Sequence, residues 1–109
     1  NTLPESEQEC LIDTTILSSE EVKIINEQID NPTKNIIIYG KNCNDEKVDE
    51  KYKQIKGLGL YNLCIYTGGL FEWLCLQDIY GEDNFRTTIH ELDILKFKPS
   101  KQIVLLLTN

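Results

Sequence analysis

Two short apolar runs constrain the fold of this chain more than any other feature. Residues 35–39, Asn-Ile-Ile-Ile-Tyr, are rich in β-branched side chains, residues 62–66, Asn-Leu-Cys-Ile-Tyr, are similarly apolar, and each run opens into a turn followed by helical periodicity. The first runs into the polar loop Gly40-Lys41-Asn42-Cys43-Asn44-Asp45, the second into Thr67-Gly68-Gly69. A strand, a loop and a helix repeated at this spacing form a parallel βαβ unit, whose crossover is right-handed. Chemistry in such units gathers at the carboxyl ends of the strands, which makes the cysteine-bearing loop the first place to look for function.

The remaining elements follow from spacing. Ser18-x-x-Glu21 has the pattern of a capping box, and Val22, Ile25 and Ile29 recur at helical spacing, so a helix is predicted over 19–30, stopped by Asn31-Pro32. Residues 35–39 are apolar on both faces, as a central parallel strand requires. Val48, Tyr52 and Ile55 mark a second helix from Asp45 to Gly57 or Gly59, with acids toward its start and Lys51, Lys53 and Lys56 toward its end, as the helix dipole favours. A third helix is expected over Leu70–Tyr80, with Phe71 and Trp73 in the core. Brief extended structure is expected within 1–17, an irregular crossing over 82–88, and a helical turn between His90 and Lys96. The run Ile103-Val104-Leu105-Leu106-Leu107 suits a further strand or a chain end equally well. The expected architecture is one α/β domain over 1–109: a small parallel sheet with helices on both faces.

Composition narrows the function. The chain has 109 residues, enough for a single core, and a net charge of −7 from 18 acidic and 11 basic residues. That balance opposes phosphate backbones and anionic lipid surfaces, so neither nucleic acid nor membrane is expected as a partner. No run approaches the length of a membrane span and no leader pattern follows Asn1, so a cytoplasmic or nuclear protein is expected. Cys10, Cys43, Cys64 and Cys75 form no close pair and are joined by one histidine, His90, which speaks against a metal site and, without secretory context, for reduced thiols. Cys64 in a strand and Cys75 in an apolar helix read as buried packing residues, and His90 as a surface or structural side chain. No cofactor is implied.

The stretch from the cysteine loop through Leu58-Gly59 and Ile65-Tyr66-x-Gly68-Gly69 to Trp73 resembles the rhodanese-like domain. The glycine pair with its tryptophan is the most specific part, and the likeness extends over about residues 1–81, with Asn1-Thr2-Leu3 and Glu9-Cys10-Leu11-Ile12 matching more loosely. On that alignment the family's first strand precedes Asn1 and residues 82–109 form an extension. The resemblance implies a loop of convergent amides that holds an anion beside a cysteine, which takes sulfane sulfur from a donor such as thiosulfate and passes it to a nucleophile. The family's cysteine position, directly after the strand, is Gly40 here. Cys43 comes three residues later, and the acidic pair Asp45-Glu46 stands where an arginine is frequent. The related phosphatases need an arginine six residues after the cysteine, and that position holds Asp49.

Charge points the same way. A thiol becomes nucleophilic beside cations or a helix N-terminus, whereas Asp45, Glu46, Asp49 and Glu50 crowd this loop, offset by Lys41 and Lys47. The leading expectation is a rhodanese-like domain without sulfurtransferase activity, serving as a binding or regulatory module for a protein partner. The alternative is a sulfur carrier with Cys43 as nucleophile, in which the loop of Gly40, Lys41, Asn42, Asn44 and Asp45 binds a small sulfur-containing anion.

Overall fold

The computed structural model describes residues 1–100. Three helices, α1 (Glu21–Asp30), α2 (Lys47–Gly57) and α3 (Gly69–Tyr80), alternate with two strands, β1 (Ile36–Tyr39) and β2 (Leu63–Tyr66). The strands pair in parallel, with Ile36, Ile37, Ile38 and Tyr39 opposite Leu63, Cys64, Ile65 and Tyr66. Residues 103–107, for which a strand was one expectation, lie outside the described residues. No described helix is long and apolar enough to cross a membrane.

Strand alternation sorts the side chains onto two layers. Ile36, Ile38, Leu63 and Ile65 face α2, where Val48, Tyr52 and Ile55 meet them with Leu60 and, from α1, Ile25. Tyr39 and Tyr66, at the other ends of the strands, face a second cluster built by Leu70, Phe71 and Leu74 of α3 with Leu3, Cys10, Ile12, Ile94 and Phe97. Leu70 and Leu74 are fully enclosed, each contributing roughly 2 kcal/mol by burial. Helices thus lie on both faces, and the helical stripe Val48-Tyr52-Ile55 and both strands fall where spacing puts them.

Four expectations need correction. β1 is not a central strand: among the described residues its one ladder partner is β2, and Ile37 remains 61% exposed. Cys64, on the same sheet face as Ile37, is exposed, and Cys75 is only partly buried; the enclosed cysteine is Cys10. In α1 the expected capping box is not made: Glu20 is the N-cap and no side chain caps it. The buried face of α1 is also rotated, leaving Val22 74% exposed and burying Gln28, whose Oε1 accepts the N–H groups of Thr33 and Lys34 at 3.1 Å each. Gln28 thereby closes the turn into β1, a polar role that hydrophobic spacing does not register.

The segment after Gly81 is part of the core. Phe97, at the end of a short 3-10 turn over Ile94–Phe97, is 3% exposed within the α3 cluster. Gln77 Nε2 donates to the Phe85 carbonyl at 2.7 Å, Thr88 N–H to the Leu11 carbonyl at 2.8 Å, and Ile12 forms an isolated antiparallel bridge with Thr87. These bonds tie residues 11 and 12 and the α3 side chain of Gln77 to the segment 85–88. Trp73 is half-buried, its indole N–H donating to the Arg86 carbonyl at 2.9 Å and its ring packed edge-on against Tyr66 and Phe85. His90 is a surface residue paired with Glu82.

Candidate functional site

The cysteine loop runs from the end of β1 to the start of α2 and docks on the first turn of α3. Gly40 and Lys41 present their carbonyls to the N–H groups of Leu70 and Phe71, both at 2.9 Å. This close approach requires glycine on the α3 side. Gly69 has φ of +63°, and a Cβ there would stand 2.5 Å from the Gly40 carbonyl oxygen. The Gly68-Gly69 pair therefore lets two loops meet, a physical role its place in the sequence signalled.

Inside the loop, the polar groups are turned on one another. The Asp45 carboxylate accepts the Thr2 hydroxyl at 2.7 Å and the Lys41 N–H at 3.2 Å through Oδ2, and the Lys47 N–H at 3.1 Å through Oδ1. Gly40 makes room for it, since a Cβ on Gly40 would lie 2.3 Å from Asp45 Oδ2. Asn44 donates its N–H to Asn42 Oδ1 at 2.9 Å, and Asp45 its N–H to the Asn42 carbonyl at 3.3 Å. Both asparagine amides also clamp the later chain: Asn42 Nδ2 donates to the Phe97 carbonyl at 2.8 Å and Asn44 Nδ2 to the Ser100 carbonyl at 3.2 Å. The structure thus brings Gly40, Lys41, Asn42, Asn44 and Asp45 together, but commits the amides of Lys41, Asn44 and Asp45 to acceptors within the protein.

Cys43 sits outside that network. Its side chain is exposed, and among the described residues its Sγ meets the Asn44 Oδ1 alone, at 3.7 Å. The nearest cation in sequence, Lys41, directs its ammonium to Glu7 at 3.2 Å and lies over the Phe97 ring at 6.0 Å from its centre. Thr2 and Glu7 were not among the residues expected here. They arrive because the N-terminal segment crosses the carboxyl end of β1, with the Thr2 N–H donating to the Tyr39 carbonyl at 3.0 Å, a long-range contact that spacing carries no trace of. The other thiols stand apart from the loop. Burial pushes the Cys10 thiol up, reinforced by the Glu91 carboxylate, and burial with Asp78 and Glu72 pushes the Cys75 thiol up, which keeps both protonated. Among the described residues no three His, Cys, Asp or Glu side chains converge as a metal site requires.

What this arrangement can do is limited by Asp45. The Thr2 hydroxyl and the N–H groups of Lys41 and Lys47 hold its carboxylate within the loop, and that negative charge disfavours an incoming anion. No protein-family model, curated protein or solved structure matches this chain.

Proposed function

We propose that this protein is a rhodanese-like domain that serves as a binding or regulatory module and does not transfer sulfur. The observation that carries this reading is the Asp45 carboxylate, held by Thr2, Lys41 and Lys47 in the loop beside the cysteine. Sulfur transfer needs the thiolate of Cys43 to attack the outer sulfur of thiosulfate and expel sulfite, and both thiosulfate and the developing sulfite are anions that need donors at the loop. Here two main-chain donors serve Asp45, the Lys41 ammonium is engaged by Glu7, and the carboxylate repels an incoming anion. What the loop does instead is mechanical. Through Asn42 and Asn44 it fastens the chain around Phe97 and Ser100 to the end of β1, leaving the exposed Cys43 side chain on the surface for a protein partner.

The sulfur-carrier reading is favoured by one feature, the exposure of Cys43 at the mouth of the loop. A steady-state thiosulfate-to-cyanide assay on the wild type and Cys43→Ser separates the two. The module reading expects thiocyanate formation at the uncatalysed rate for both proteins. Turnover by the wild type that disappears in Cys43→Ser would establish the carrier.

A further inference from the structure

We draw no further inference here: the strongest candidate, the groove beside β1 that Ile16, Ile25 and Ile37 line together with Asp13, Glu21 and Lys34, carries nothing, because its wall mixes apolar with charged side chains and nothing in the structure shows what covers it.

Discussion

Asp45 and Gly69 show how single residues set the character of the loop. Asp45 carries three hydrogen bonds, two of them to main-chain N–H groups at the entry to α2. Asp45→Ala leaves those donors without their acceptor and is expected to lower stability by about 1–3 kcal/mol, read as a shift in the urea midpoint. An unchanged midpoint would show that water replaces the carboxylate at no cost. Gly69→Ala meets two obstacles, a positive φ and a backbone oxygen 2.5 Å from the new Cβ. Its expected cost is about 2 kcal/mol or more by the same measurement. By contrast the side chains of the Lys41–Glu7 pair are 32% and 38% exposed, and Glu7→Gln should lower stability by less than about 1 kcal/mol.

At the scale of elements, legibility followed the range of the interactions. α2, α3 and the two strands were readable because local periodicity and the Gly68-Gly69 turn agree with the packing. The orientation of α1 was not. Its exposed Val22 accompanies a buried Gln28 that is held by the turn at Thr33 and Lys34, a polar contact that leaves no mark on helical spacing. Cys64 was misplaced for the related reason that an apolar strand looks the same whether or not both its faces are covered in the described chain. Within the site, Gly40, Lys41, Asn42, Asn44 and Asp45 were legible as a loop, but the donor from Thr2 spans 43 positions and was not. The segment after Gly81 reads as an irregular crossing and a helical turn, as observed, but its anchoring does not, because Phe97 ends a short 3-10 turn with no repeating pattern. Phe97→Ala is expected to cost about 3–5 kcal/mol in chemical unfolding, whereas a detachable extension would tolerate it with no measurable loss.

For the molecule as a whole, the two-cluster architecture places ionisable groups where charge is disfavoured. Burial, with Glu72 beside it, pushes the Tyr66 hydroxyl up to about 12, from 10.0. A folded state that holds this proton more tightly than the unfolded chain keeps its full advantage below about pH 10, and loses it as pH rises toward about 12. The urea midpoint should therefore fall across that window, and Tyr66→Phe should flatten the fall; an equally steep fall in Tyr66→Phe would assign it to other groups such as Tyr39, which burial also raises. The central claim is the proposal that the Asp45 carboxylate, held by Thr2, Lys41 and Lys47, keeps the loop of Cys43 from taking up sulfur from thiosulfate. The most direct test is intact-protein mass spectrometry after incubation with thiosulfate, comparing wild type with Cys43→Ser. The account predicts no added sulfur on either protein while circular dichroism shows both folded; one added sulfur on the wild type, absent from Cys43→Ser, would contradict it.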